Sequence, residues 1–106
     1  MELIVMVGKI ASDKHITKDG AFTPEPDLSE LNSNIWSYHW DSEVPSAEIE
    51  FIQASNKPNQ VVDNQSDLET VTGVTVARIL ELKTARDKVI TKAEEDAVEE
   101  GKNITE

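Results

Sequence analysis

The chain contains no cysteine among its 106 residues. It therefore has no disulfide framework and no thiolate metal site, which excludes the small secreted proteins that depend on disulfides for stability. Aromatic residues are also scarce, with two Trp, one Tyr and two Phe. A chain of this length is expected to form one small domain, and this one has few large side chains from which to build a core.

Basic residues are few. Ten Lys and Arg stand against 21 Asp and Glu, which gives a formal net charge of −11. Such a charge repels nucleic-acid phosphates and anionic lipid surfaces, because both attract clusters of Lys and Arg. We therefore expect no nucleic-acid partner and no membrane partner. Solubility alone would also account for this net charge.

Long apolar runs are absent too. No segment reaches the roughly eighteen consecutive apolar residues that indicate a transmembrane helix. The N-terminal MELIVMVG is apolar over only a few residues, and Glu2 stands where a signal peptide carries basic residues. We expect Leu3–Val7 to form a strand buried in a sheet, because the segment is short and rich in β-branched residues.

Alternating and β-branched segments in the first 65 residues predict a small, mainly antiparallel sheet of four to five short strands. Asp19-Gly20 is a tight-turn signal, because both residues tolerate a positive φ angle, and it predicts a hairpin. Pro24 and Pro26 break regular structure after this hairpin. Val61-Val62 is a candidate for a short strand at one edge of the sheet.

The aromatic residues are concentrated in one predicted strand, where Trp36, Tyr38 and Trp40 occupy alternate positions. Ile49 and Phe51 alternate in a second predicted strand after a short turn. We expect these five side chains to form the structural core, because each buried aromatic removes about 150–250 Å² of surface from water. The alternative is a ligand-binding face, since aligned aromatic rings also stack on sugars or bases.

After residue 65 the hydrophobic period changes to that of a helix. The sequence thus predicts an α+β fold, with an antiparallel β domain at 1–65, a long C-terminal helical extension at 66–100 and a disordered tail at 101–106. A helix over Val74–Glu99 would be about 39 Å long at about 1.5 Å per residue, which exceeds the diameter of so small a domain. We expect it to project past the sheet and pack on a partner, and the alternative is that it folds back over the sheet.

The candidate partner-binding residues are the apolar residues spaced three and four apart along this helix. They are Leu80, Leu82, Ala85, Val89, Ile90, Ala93 and Ala97. Acidic residues follow at 94–96, where they oppose the helix dipole, and we expect that end of the helix to fray.

No catalytic motif is present. Four glycines leave no phosphate-binding loop, and no serine lies in a nucleophile elbow. His39, Asp41 and Glu43 form a poor metal-ligand set, because His15 is the only other imidazole in the chain. We therefore predict no enzyme activity, no cofactor and no catalytic, cofactor-binding or metal site.

Three segments between Leu31 and Asp63 occur in the order NIWSYHW, AEIEF and PNQVV. This order resembles the N-I-x-x-x-x-W, G-E-I-E-F/Y and P-N-E-x-I segments of small tail-fibre-associated and tail-fibre assembly proteins of bacteriophages, in which a helical tail follows. Ala47 stands where that family usually has glycine.

The resemblance implies a non-enzymatic structural or assembly protein of a phage tail or tail fibre, located in the virion or, during assembly, in the host cytoplasm. Its partners would be other tail or fibre proteins, or a second copy of the chain, bound through the C-terminal helix. The competing hypothesis is a carbohydrate- or ligand-binding module that uses the Trp36-Tyr38-Trp40 face.

Overall fold

The computed structural model describes the backbone of residues 1–105 and the side chains of residues 1–97. Within these residues, six strands are followed by two α-helices. They are β1 (Glu2–Met6), β2 (His15–Lys18), β3 (Ala21–Pro24), β4 (Ile35–Asp41), β5 (Ser46–Phe51), β6 (Gln60–Val62), α1 (Gln65–Thr72) and α2 (Val76–Thr105).

The strands form one sheet in the order β3-β2-β1-β4-β5-β6, and every neighbouring pair is antiparallel. The predicted α+β class with a long C-terminal helix is confirmed, but the sheet has six strands instead of four to five. The uncertainty in the count lay in β2, β3 and β6, which have only four, four and three residues and which the sequence indicated as a hairpin and a candidate edge strand. Strands this short give a weak sequence pattern, because neighbouring strands stabilise them more than their own composition does.

The predicted hairpin around Asp19-Gly20 joins β2 to β3. Both turn residues have positive φ angles, 48° at Asp19 and 86° at Gly20. Two-residue hairpin turns need this conformation because it matches the right-handed twist of the flanking strands. The hairpin places β3 at one edge of the sheet, where it meets α2.

One face of the sheet carries the core. Alternate residues of the central strands, among them Leu3, Val5 and Ile49, are fully buried. Leu68 of α1 and Ile79 of α2 belong to the same buried cluster, so both helices cover this face. The opposite face, which we call the open face, has no helix over it among the described residues. Its side chains range from half-buried to exposed.

The junction between α1 and α2 is fixed by capping contacts. Gly73 adopts a φ of 79° and donates its N–H to the carbonyl of Glu69 at 3.0 Å, a left-handed helix end that favours glycine. The Glu69 carboxylate then accepts the N–H of Val76 at 2.7 Å, and the Thr75 hydroxyl accepts that of Arg78 at 3.0 Å. These bonds satisfy backbone donors at the start of α2 and set its direction across the sheet.

The helix α2 is longer than the sheet is wide. The molecule measures 58 Å along its longest axis and its radius of gyration is 16.5 Å, against about 13 Å for a compact domain of about 100 residues. The first part of α2 lies over the sheet and shares its core, whereas the later part projects past the sheet. Packing of the projecting part on a partner stays a prediction. The side chains of the tail predicted for 101–106 lie outside the described residues, and its disorder stays a prediction.

Candidate partner-binding surface

The first part of α2 is tied to the edge strand β3 by a polar contact. Thr23, which is fully buried, donates its hydroxyl to one Asp87 carboxylate oxygen at 2.6 Å. The Lys83 ammonium donates to the other oxygen at 2.9 Å. The hydrogen bond from Thr23, followed by the contact with Lys83, holds the pKa of Asp87 below its usual value of 3.8. The Asp87 carboxylate is therefore ionised and held in place at neutral pH.

Arginines on α2 extend this attachment along the segment that follows β3. Arg86 donates its Nε–H to the carbonyl of Pro24 at 3.0 Å and lies 3.6 Å from the Glu25 carboxylate. Nearer the start of α2, the Arg78 Nε lies 2.8 Å from a carboxylate oxygen of Glu30. The helix is thus held at several points as far as Asp87, which is where it passes the edge of the sheet.

Beyond Asp87 the surroundings of α2 change. We call residues 88–97 the distal segment. Val89 is 57% exposed, Ile90 is half-buried, and Ala93 and Ala97 are exposed. Ile90, Ala93 and Ala97 lie on the same side of the helix as Ile79, because they continue its three- and four-residue spacing. The core-facing stripe of α2 therefore continues into a region where no strand lies beneath it.

The predicted partner-binding residues fall into three groups in the structure. Leu82 is a core residue with 8% exposure, so its assignment to a partner surface is wrong; the reason is that α2 crosses the sheet at this point. Leu80 is half-buried and packs against the same core. Ala85 is exposed, but it lines a shallow groove with Ala77 and Thr84 instead of lying on the core-facing stripe. Within the described part of α2, the distal segment continues the core-facing stripe past the strands that cover it earlier in the helix.

The predicted aromatic core needs one correction. Tyr38, Trp40, Ile49 and Phe51 are buried, whereas Trp36 is half-buried and lies outside the buried cluster. The cause is a β-bulge.

The bulge lies between β4 and β5. Ile35 pairs with Phe51, but Ser37 pairs with Glu50, so Trp36 is an extra residue in β4. A bulge shifts the alternation of side chains between the two faces of a sheet, and simple alternation in the sequence does not reveal it.

The bulge places Trp36 in a cleft of about 500 Å³ at one end of the open face. We call this the Trp36 cleft. Its lining combines the Trp36 indole with charged and amide side chains. The lining residues are Lys9, Trp36, Glu50, Phe51, Gln53 and Asn59.

The Trp36-Tyr38-Trp40 face proposed as a ligand surface does not exist as one surface. Tyr38 and Trp40 are 3% and 1% exposed beneath the helices, so neither ring is available for stacking. Burial raises the pKa of the Tyr38 phenol far above its usual value, and the nearby Glu69 carboxylate adds to this effect. The phenol therefore stays neutral at any ordinary pH, as is typical of a core residue.

The described residues contain neither a metal-ligand cluster nor a membrane-spanning helix. Within them, no three His, Asp or Glu side chains come together as metal ligands, so His39, Asp41 and Glu43 do not form a cluster. In the same part of the chain, no helix combines the length and apolarity that crossing a membrane requires.

The fold defines this chain as an α+β protein with one open sheet face and a helix that projects past the sheet. No protein-family model, curated protein or solved structure matches it.

Proposed function

We propose that this chain is a non-enzymatic structural or assembly protein of a bacteriophage tail or tail fibre. It binds another virion component through the distal segment of α2, and it acts in the virion or in the host cytoplasm during assembly. The resemblance of the segment from Leu31 to Asp63 supports the phage assignment. The exposed stripe on the distal segment supports the mode of binding.

The main support is that the apolar stripe of α2 continues beyond the sheet. The apolar stripe by which α2 packs on the sheet includes Ile79 and Leu82. It continues in the same spacing through Ile90, Ala93 and Ala97, which have no strand beneath them. An amphipathic stripe that leaves its own core is the kind of surface that a partner helix or groove covers. The attachment at Asp87 holds the start of the distal segment in a fixed position, which lowers the entropic cost of binding.

The charges beside the stripe indicate the kind of partner. Glu94, Glu95 and Asp96 are exposed on the distal segment, and the whole chain carries a net charge of −11. Lys88 and Lys92 are exposed nearer the start of this segment, so only a parallel pairing of two copies would bring the carboxylates together, but in either orientation each copy carries the same net charge of −11. A partner with Lys or Arg around an apolar groove would satisfy the carboxylates, so another tail or fibre protein fits better than a second copy.

The test uses the purified full chain and the purified tail and fibre proteins that are encoded beside it. The double variant Ala93→Asp/Ala97→Asp places two charges on exposed positions of the stripe. Its matched control, Thr84→Asp/Thr91→Asp, places the same charges at exposed positions away from the stripe. We expect the first variant to lose at least about tenfold in affinity by calorimetry, and the control to bind as the unchanged chain does.

Two results would contradict the proposal. Equal binding by both double variants would exclude the distal segment as the binding surface. Failure of every tail and fibre protein to bind the unchanged chain would exclude the assignment to the phage tail.

A further inference from the structure

The two tryptophans lie four residues apart on β4, yet their surroundings are opposite. Trp40 is 1% exposed in the core, and its indole N–H has no hydrogen-bond partner among the described residues. Trp36 is half-buried at the bulge and lines the Trp36 cleft. Without the bulge, alternation would place both rings in the core. Bulges are frequent beside binding sites because they redirect a side chain. Here the redirected side chain is Trp36, which is larger than Phe51, the other aromatic residue that lines the cleft.

The backbone around Trp36 is held from the neighbouring strand. The Trp36 carbonyl accepts N–H groups from Val7 at 2.9 Å and Gly8 at 3.4 Å. Gly8 has a φ of 61°, and a Cβ at this position would lie 2.5 Å from the Cβ of Asp13. Only glycine therefore allows the chain to turn here, and the turn places Lys9 in the lining of the cleft. A ring held on paired strands is a rigid platform for a ligand.

The polar groups around the indole include both donors and acceptors. Lys9 and Gln53 are exposed at the cleft, and they supply an ammonium and an amide. Asn59 donates its amide N–H to Glu48 at 3.1 Å, which leaves its carbonyl oxygen as an acceptor. Among the described residues, Glu50 receives only a long hydrogen bond of 3.4 Å, from Ser37, so its carboxylate can accept further hydrogen bonds.

We propose that the Trp36 cleft binds a neutral saccharide. The C–H face of a sugar ring stacks on the Trp36 indole, while its hydroxyls donate to Glu50 and Asn59 and accept from Lys9 and Gln53. The volume of about 500 Å³ lies within the range of small-ligand sites, about 300–1,000 Å³. This proposal is independent of the proposed function, since it uses a different surface.

The charges favour a neutral ligand over a nucleotide. Lys9 and Glu50 contribute one positive and one negative charge to the lining of the cleft. Just outside it, the Lys57 ammonium over the Phe51 ring and the Glu48 carboxylate bonded to a lining amide add one more of each, so these charges balance. The chain as a whole carries a net charge of −11, which opposes any ligand with a phosphate group. A stacking base would therefore be disfavoured by its phosphates, whereas a sugar has none.

The experiment follows the two indole N–H signals of the ¹⁵N-labelled full chain by NMR, and Trp36→Phe identifies which signal belongs to Trp36. The probes are cellobiose, maltose and di-N-acetylchitobiose, each titrated to about 50 mM, a limit that detects even millimolar affinity. We expect at least one probe to shift the Trp36 signal with saturation and to leave the Trp40 signal in place. Trp36→Ala should weaken that binding about tenfold, which corresponds to about 1.4 kcal/mol.

The matched control is Phe22→Ala, which removes an aromatic ring that is 61% exposed elsewhere on the open face and should leave binding unchanged. Glu50→Gln and Gln53→Ala change exposed side chains and test the cleft should Trp36→Ala fail to fold. Absence of a Trp36 shift with all three sugars would overturn the proposal. A shift of equal size with adenosine monophosphate or inorganic phosphate would overturn the neutral-ligand class, and a saturable shift of Trp40 alone would overturn the location.

Discussion

The two parts of α2 have similar apolar spacing but opposite surroundings. From Val76 to Asp87, the stripe lies over the sheet and contributes Val76, Ile79 and Leu82 to the core. From Lys88 to Ala97, the stripe continues on the same side of the helix, and its residues are half-buried or exposed. Apolar spacing therefore identifies which side of a helix is buried or bound, but it does not identify what covers that side.

The boundary between the two parts is polar. Thr23, Lys83 and Asp87 form their contact where α2 crosses the edge strand β3. Past this point there is no further strand to cover the helix, because β3 is the last strand on that side of the sheet. The distal segment is therefore uncovered because the sheet ends, although its sequence pattern continues.

Replacing one isoleucine by alanine in each part of α2 should give the largest difference in stability. Ile79 has 0% exposure, and Ile79→Ala should lower the free energy of unfolding by about 3 kcal/mol, since it leaves a cavity in the core. Ile90 is half-buried, and Ile90→Ala should cost less than about 1 kcal/mol. Urea denaturation of both variants measures the difference, and equal losses would mean that the distal segment is also packed.

The contact at the boundary should have an intermediate effect. Thr23→Val keeps the shape of the side chain but removes the hydroxyl that donates to Asp87, and we expect a loss of about 1–2 kcal/mol. A double-mutant cycle with Asp87→Asn isolates the interaction between the two residues. A coupling energy near zero would show that the contact does not hold α2 on β3.

The same contact predicts a dependence on pH. The pKa of Asp87 is lowered in the folded chain, so its ionised form stabilises the fold at pH values above the unfolded pKa, about 3.8. This contribution is lost as the pH falls through the lower, folded pKa. The stability difference between the unchanged chain and Asp87→Asn should be constant above about pH 5 and shrink in more acidic solution. A difference that grows on acidification would contradict this assignment.

Much of the fold was predictable from local patterns. The strands β4 and β5, the Asp19-Gly20 turn and the helices after residue 65 all appear in the structure. These features depend on residues close together in sequence, where propensity and spacing act directly.

Two features of the candidate surfaces were not predictable in this way. The bulge at Trp36 depends on how β4 aligns with β5, and the sequence of β4 alone does not indicate that Trp36 is an extra residue. The contact between Thr23 and Asp87 joins residues 64 positions apart. Neither residue has a pattern that identifies the other, so the point where α2 leaves the sheet could not be placed from the sequence.

Deletion of Glu94 to Glu106 should have the smallest effect on stability. Every described side chain from Thr91 to Ala97 is exposed, so the deletion removes little buried surface. We expect the free energy of unfolding to change by less than about 0.5 kcal/mol, while binding to the tail or fibre partner is lost because Ala97 is removed from the stripe. Circular dichroism with urea measures stability, and calorimetry measures binding. A shortened chain that unfolds would place the distal segment within the core, and one that binds its partner unchanged would move the binding surface to the earlier part of α2.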